Sequence, residues 1–256
     1  MSESFKRPDF DDTVIIPRRI QYNGRHSPDH PLFVYWSHAR LQTITWSQVA
    51  RAIENAARIV YAHLKFCRGT SGLGTQPPVV GILANIGEYN TTVFLNSYYS
   101  LVGCITDTIT YHTLVWGIVR AGGTAFLISP RNSRAAIAHL LKETRTQLLL
   151  LGADERVLSL ATFTPADAEN HAVSMKNVPV FNDLYSGKSE RDYTYPMPDC
   201  AEDSIDQPAI ILHSSGSSAS CLFTNLNLIW IKGTTSFPKA VPLSHRHLIQ
   251  WIRIAS

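Results

Sequence analysis

Short, continuous apolar runs recur along this chain, and they restrict its fold more than any other feature. Each run has the length of a β-strand and contains no polar side chain after its first residue. Such runs are typical of strands buried on both sides in a parallel sheet. The four runs are Val79–Ala84, Thr124–Ile128, Gln147–Leu151 and Gln207–Leu212.

Between these runs the apolar residues recur at helical spacing. Asp107 precedes one such segment, which ends at Gly122-Gly123, and Ser133 precedes another that reaches Thr144. Asp and Ser are preferred helix N-caps, and Gly is preferred just beyond a helix C-terminus. The order is therefore strand, helix, strand, helix, strand, which predicts an α/β fold with a mostly parallel sheet and flanking helices.

The N-terminal third is organised differently. Two β-branched and aromatic runs, residues 31–36 and 41–46, are separated by four residues and predict a β-hairpin. Thr45 and Gln48 have the spacing of a capping box, so a helix is expected from there to about Lys65. Residues 1–30 are interpreted as an N-terminal extension, and residues 31–256 as one partial domain.

Composition excludes several classes of protein. The net charge is +3 and the hydrophobic share is 45%, so an intrinsically disordered chain is excluded. The densest basic cluster, residues 17–19, is too short to bind a nucleic-acid backbone. The N-terminus lacks an apolar secretory segment, and the four cysteines have no metal-site spacing, so free thiols and a cytoplasmic location are expected.

A serine-rich loop follows the last apolar run, and we interpret it as a phosphate-binding site. Gly216 would let the backbone approach an anion closely, while the flanking serines offer hydroxyl groups beside backbone amides. Lys239 would supply the cation. A serine-rich surface turn is the alternative interpretation. The candidate binding residues are Ser214, Ser215, Gly216, Ser217, Ser218 and Lys239.

The spacing around this loop excludes two common motifs. It does not form the Gly-x4-Gly-Lys-Ser/Thr pattern, so a kinase or ATPase of the P-loop type is disfavoured. It also lacks the Gly-x-Ser-x-Gly elbow of α/β-hydrolases.

Residues 210–219 together with residues 237–245 resemble the phosphate-loop signature of the AMP-forming acyl synthetases, most closely that of peptide-synthetase-like and aminoadipate-reductase-like adenylation domains. Thr43–Trp46 and Val119–Thr124 are similar to this family as well, and the resemblance covers most of residues 28–250. It implies that the chain is the N-terminal part of an adenylate-forming domain. It further implies ATP and Mg²⁺ as cofactors, and a carboxylic acid that is converted to acyl-adenylate and pyrophosphate. A carrier protein or coenzyme A is the implied acceptor.

Two segments depart from the family pattern. Residues 87–106 interrupt a strand-to-helix connection, and residues 220–236 lie between Ala219 and Phe237, where the family has a continuous loop. Each segment contains one charged residue, Glu88 or Lys232. We interpret both as non-native insertions, and our hypothesis is that they are translated introns. The second insertion is expected to displace Lys239 or to cover the site.

The resemblance also implies that the chain is truncated. In the family, the ribose-binding aspartate and the C-terminal catalytic lysine follow the phosphate loop, whereas this sequence stops at Ser256. We therefore expect an inactive polypeptide whose uncovered apolar surface promotes aggregation. A non-catalytic α/β binding or interaction module is the alternative function.

Two remaining segments have non-functional interpretations. Residues 90–106 are uncharged but shorter than the ~20 apolar residues that cross a bilayer, so a membrane span is not favoured. His245 and His247 lack companions for a metal site and are interpreted as a solvated helix start.

Overall fold

The computed structural model describes residue 5 and residues 14–37, 40–68, 77–87, 106–162, 173–186, 205–214, 220–224, 227–231 and 238–255. Its helices are Ile16–His26 (α1), Trp46–Arg68 (α2), Thr108–Arg120 (α3), Arg134–Glu143 (α4), Glu155–Leu160 (α5), Phe181–Tyr185 (α6) and His245–Ala255 (α7). Its strands are Pro31–Ser37 (β1), Arg40–Thr45 (β2), Val79–Leu83 (β3), Ile86–Gly87 (β4), Thr106–Asp107 (β5), Thr124–Ile128 (β6), Leu148–Leu151 (β7), Ser174–Asn177 (β8), Pro208–His213 (β9), Ser220–Thr224 (β10), Asn227–Ile231 (β11) and Ala240–Ser244 (β12).

A six-stranded sheet organises the fold, with the strand order β12-β9-β6-β3-β7-β8. Strands β9, β6, β3, β7 and β8 are parallel, and β12 is antiparallel to β9 at one edge. The predicted α/β class with a mostly parallel sheet is confirmed. All four apolar runs form strands of this sheet.

The sheet is covered on both faces, which explains why its strands lack a polar side. Val80 and Ile82 of β3 pack with Leu114 and Ile118 of α3 and with small residues of α2. On the opposite face, Leu83 packs with α4 and α5. Burial on both faces stabilises each strand through the hydrophobic effect and requires an apolar residue at every position.

The predicted helix caps form as expected. The carboxylate of Asp107 accepts a hydrogen bond from the Thr110 N–H at 2.7 Å, and the Ser133 hydroxyl accepts one from Ala136 N–H at 3.2 Å. Helix α3 ends where Gly122 adopts a φ of 78°, a left-handed conformation that glycine adopts without strain. These local signals are therefore reliable in this chain.

The predicted hairpin is also present, since β1 and β2 pair antiparallel. Half of the predicted capping box forms, with the Gln48 Oε1 accepting a bond from the Thr45 N–H at 2.8 Å. The Thr45 hydroxyl lies instead 3.0 Å from the hydroxyl of Ser47. Helix α2 then continues to Arg68, slightly beyond the predicted end.

Helix α1 lies within the predicted N-terminal extension and was not assigned from the sequence. Its Ile16 and Ile20 are buried in a third apolar cluster with Ile44, Ile53 and other residues of the hairpin, α2 and α3. Glu54 of α2 joins three helices, because its Oε1 accepts hydrogen bonds from Gln21 of α1 and Arg120 of α3, both at 2.8 Å. Residues 15–26 therefore pack against the rest of the described fold.

Both proposed insertions contain short paired strands. Ile86 and Gly87 pair with Thr106 and Asp107, so the ends of the first segment lie side by side. Within the second segment, β10 and β11 form a separate antiparallel hairpin, from Ser220 opposite Ile231 to Thr224 opposite Asn227. Neither pairing involves the six-stranded sheet.

His245 differs from its sequence interpretation. It begins α7, as predicted, but its side chain is only 6% exposed, so a solvated position is wrong. Its Nδ1 atom is buried and has no hydrogen-bond partner. Desolvation by burial lowers the pKa of His245 to about 4, and the positive end of α7 also disfavours the imidazolium form. The side chain is thus held neutral.

Burial of neutral His245 predicts a loss of stability in acid. Because the pKa in the folded state lies below its ordinary value of about 6.5, the unfolded chain binds the proton more readily. The contribution of neutral His245 to the free energy of unfolding is complete above about pH 6.5 and is lost as the pH falls toward the pKa of the folded state. We expect the free energy of unfolding to fall by about 1 kcal/mol more between pH 7 and 5.5 than in His245→Phe, measured by urea denaturation. Identical pH dependence in both proteins would contradict this assignment.

Within the described residues, no helix has the length and apolar character needed to cross a membrane. Residues 88–105 and the side chains of the four cysteines lie outside the described part of the structure, and so do the membrane-span and free-thiol predictions made for them.

Candidate functional site

The candidate site begins where β9 leaves the sheet. Strand β9 lies between β6 and β12, and its last residue, His213, is followed directly by Ser214. Ligands of open parallel α/β sheets bind beyond the carboxyl ends of the strands. The start of the serine-rich loop therefore has the position expected of a binding loop.

Ser214 and Lys239 are held together by two hydrogen bonds. The Ser214 N–H donates to the Lys239 carbonyl oxygen at 3.0 Å, and the Lys239 N–H donates to the Ser214 Oγ at 3.0 Å. This pair continues the antiparallel ladder of β9 and β12, in which Ala240 lies opposite His213 and Val241 opposite Leu212. The ladder, and not the length of the intervening chain, determines where Lys239 lies.

The second insertion therefore does not displace the Lys239 backbone from Ser214, and the alternative expectation, that it covers the site, falls on residues outside the described ranges. Within the insertion, the β10–β11 hairpin brings Ser220 and Ile231 to opposite positions. Pro238 is buried and the Lys239 side chain is exposed. Because the Lys239 backbone lies beside Ser214 and its side chain is exposed, the ammonium group can approach an anion without first losing contact with water.

Strand β9 is also joined to β6 at both of its ends. At the start, the hydroxyl of buried Thr124 donates to the Pro208 carbonyl oxygen at 2.8 Å. At the other end, the His213 Nε2 accepts hydrogen bonds from the Ser129 N–H at 2.9 Å and from the Asn132 side-chain amide at 3.3 Å. Hydrogen bonds to β6 and to the residues that follow it thus fix the backbone of β9 at both of its ends.

Sequence reasoning proposed Ser214 and Lys239 but missed Ser129 and Asn132. Both follow the end of β6, where polar residues come directly after an apolar run. Because β6 and β9 are parallel neighbours, their carboxyl ends meet at one edge of the sheet. Polar residues after each strand could have been grouped only if the strand order had been known. Ser215, Gly216, Ser217 and Ser218 lie outside the described residues.

The described residues offer no set of groups that fits a protein-bound metal ion. Nowhere in the described ranges do three or more His, Cys, Asp or Glu side chains come together in a suitable cluster. The groups brought together at the end of β9 are backbone amides, a hydroxyl, an imidazole and the backbone of a lysine whose side chain is exposed. These are groups that bind and orient an anion.

No family model matches this chain. In sequence, it is 31% identical over 247 residues to the adenylate-forming reductase Nps10 of Heterobasidion annosum, an alignment that covers 93% of this chain and 19% of the relative. It is 25% identical over 252 residues to the adenylate-forming reductase Nps11 of Serpula lacrymans var. lacrymans (strain S7.9), with coverage of 97% and 19%. The chain thus spans about a fifth of the length of the curated relatives it matches.

Solved structures show the same fold at lower sequence identity. A fatty acyl CoA synthetase of Mycobacterium tuberculosis aligns with a TM-score of 0.56 and 12% identity, over 92% of this chain and 36% of its own. A fatty acyl-adenylate ligase of L. pneumophila, solved with acyl adenylate and pyrophosphate, gives 0.54 and 16%, with coverage of 93% and 32%. The N-terminal subdomain of Klebsiella oxytoca NpsA gives 0.53 and 14%, over 90% and 42%.

Proposed function

This chain belongs to the family of AMP-forming acyl synthetases and adenylation domains, whose N-terminal part it matches, and on that premise we propose that its β9–β12 loop binds the triphosphate of ATP. The binding groups in this proposal are Ser214, Lys239 and the four loop residues between Ser214 and Ala219. The loop amides and hydroxyls surround the phosphates, and Lys239 neutralises part of their charge.

The observation that carries the proposal is the pair of hydrogen bonds between Ser214 and Lys239. A phosphate site requires a cation at a fixed distance from the loop amides, because binding weakens when its parts must be brought together on each encounter. Here the backbone of Lys239 is fixed by the sheet. The Ser214 Oγ accepts the Lys239 N–H, so its own hydrogen can be donated to an anion.

For the longer proteins of this family we propose the adenylation of a carboxylic acid. The carboxylate attacks the α-phosphate of ATP, the bond to the β-phosphate breaks, and acyl-adenylate and pyrophosphate result. In this reaction the described part of the chain would hold the phosphate groups that leave as pyrophosphate. A carrier-protein thiol or coenzyme A is the proposed acceptor of the acyl group. Mg²⁺ is proposed for the family, as the ion that balances the charge of the phosphates.

We also propose that residues 87–106 and 220–236 are insertions foreign to the fold, retained from introns. For residues 87–106 the paired ends support this, and for residues 220–236 the hydrogen bond between Ser214 and Lys239, which flank the segment, does so. A segment whose flanking residues are neighbours can be removed without separating the strands it connects. Loop-closure entropy grows slowly with length, so the insertions need not unfold the domain. Sequencing of the mature transcript tests the proposal: a spliced message without these codons supports it, and their presence in every message contradicts it.

The phosphate site predicts that the triphosphate, and not the nucleoside, provides the binding energy. We expect ATP and inorganic tripolyphosphate to bind the full chain and to compete with each other, whereas AMP binds at least tenfold more weakly. The variant Lys239→Ala should lose about tenfold in affinity for tripolyphosphate, because a charge-assisted contact is removed. Isothermal titration calorimetry measures all of these constants.

Lys176→Ala is the matched control. Lys176 is an exposed lysine in β8, at the opposite edge of the sheet from β12. Its replacement by alanine changes the net charge by the same amount as Lys239→Ala and should leave the affinity for tripolyphosphate unchanged. Equal weakening by the two substitutions would show that only the overall charge matters, and equal binding of AMP and ATP would contradict the phosphate site.

A further inference from the structure

We propose that His213 is a positioning residue that fixes the start of the phosphate loop to the neighbouring strand β6. In this role the imidazole is neutral and carries its proton on Nδ1. The proposal rests on the proposed function of the loop for its effect on ligand binding, but the hydrogen bonds that define it are independent of any ligand.

The partners of His213 determine its protonation state. The Ser129 N–H and the Asn132 side-chain amide both donate to Nε2, at 2.9 and 3.3 Å, so Nε2 must be unprotonated. Nδ1 lies 3.0 Å from the Ser214 carbonyl oxygen, which can only accept, so Nδ1 must carry the proton. Two independent sets of contacts thus require the same tautomer.

These contacts fix the first residue of the loop. With His213 in place, the Ser214 carbonyl group accepts a hydrogen bond from β9, and its N–H and Oγ are bonded to Lys239 of the adjoining chain. The imidazole also links Ser214 to β6, because its Nε2 accepts a hydrogen bond from Ser129, the residue that follows that strand. The ring is further supported by the edge-on contact with Phe126, at a centroid distance of 6.4 Å and an angle of 89°.

Removal of the imidazole should therefore affect the site more than the fold. In His213→Phe the ring volume is retained, but the Ser129 N–H loses its acceptor and the Ser214 carbonyl loses its donor. Ser214, the first residue of the loop, would then be held less firmly before binding. Because this order must be restored on binding, we expect the affinity for tripolyphosphate to fall about tenfold.

The conservative variant His213→Gln distinguishes positioning from packing. The glutamine Oε1 reaches the place of Nε2 and can accept from Ser129, whereas phenylalanine can accept from neither donor. We expect His213→Gln to recover tripolyphosphate affinity to within about threefold of the unmodified chain. A residue that matters only for packing would show the reverse order, with phenylalanine the better replacement.

The experiment combines tripolyphosphate titrations of the three full chains with nitrogen NMR of the labelled imidazoles at slightly alkaline pH. A His213 resonance pair with protonated Nδ1 and unprotonated Nε2, together with weakened binding in His213→Phe only, supports the proposal. The opposite tautomer, or equal affinity of all three chains, overturns it. If none of the chains binds tripolyphosphate but the tautomer is as stated, the contact between His213 and the two strands stands and the proposed phosphate site fails.

Discussion

Replacement of Gly117 by valine is expected to destabilise the fold by about 3 kcal/mol or more, because α2 and α3 cross there in direct contact. A Cβ atom on Gly117 would lie 2.3 Å from the Ala56 Cβ and 3.2 Å from the Ala57 backbone nitrogen. Both alanines are fully buried, and backbone atoms cannot move aside as a flexible side chain can. Urea denaturation followed by circular dichroism measures the loss.

Ala62→Val is the matched control on the same pair of helices. Ala62 lies on the exposed face of α2, so the two methyl groups that valine adds meet solvent there, and the stability should change by less than about 1 kcal/mol. A double variant that exchanges the sizes, Gly117→Ala with Ala56→Gly, should be more stable than Gly117→Ala alone. Equal effects of the two valine substitutions would mean that the helices do not cross at Gly117.

Replacement of Phe126 by alanine is the second substitution for which we expect a large effect, a loss of about 3–5 kcal/mol in the free energy of unfolding. Phe126 is fully buried at the centre of β6, in the cluster formed with α4 and α5, and it pairs with Ile211 of β9. Its ring also contacts His213 edge-on. The substitution therefore leaves a cavity directly below the candidate site, and urea denaturation measures its cost.

Phe126→Leu separates the cavity from the aromatic contact. Leucine fills most of the space, so the loss of stability should be limited to about 1–1.5 kcal/mol. A cost below about 1 kcal/mol for the alanine variant would contradict the placement of this residue in the core, because such values are typical of partly exposed positions.

Local signals of the sequence were sufficient for most of the sheet. Strands β3, β6, β7 and β9 were found because burial on both faces produces unbroken apolar runs. The caps at Asp107 and Ser133 were found because one side chain satisfies one backbone donor, an interaction that depends on a few adjacent residues.

Helices and strands that depend on contacts between residues distant in sequence were not predicted. Helix α1 is strongly polar on one side, and only its packing against α2 and the hairpin shows that Ile16 and Ile20 are core residues. Strand β12 contains Pro242, which argues against a strand in the interior of a sheet. The proline is accommodated because β12 is an edge strand that pairs with β9 only.

In the candidate site, too, local features were predicted from the sequence and features that depend on strand pairing were not. The serines and Lys239 were proposed from residue type and spacing, but the sequence suggested that the inserted segment would separate them. Pairing of β12 with β9 keeps Lys239 beside Ser214 despite the insertion. The contacts of His213 with Ser129 and Asn132 depend on the strand order, in which β9 returns to lie beside β6. That order is set by the packing of the whole sheet.

The most direct test of the phosphate site uses an ATP derivative that carries an acyl group on its terminal phosphate. An amine next to that phosphate attacks the acyl carbon, an amide forms, and ATP is released, so the labelled lysine identifies the residue nearest the phosphates. Among the seven lysines of the chain, we expect mass spectrometry of the full chain to find the label on Lys239 and tripolyphosphate to prevent it. Labelling spread over the other lysines, or labelling of Lys239 that tripolyphosphate does not block, would contradict a phosphate site at the end of β9.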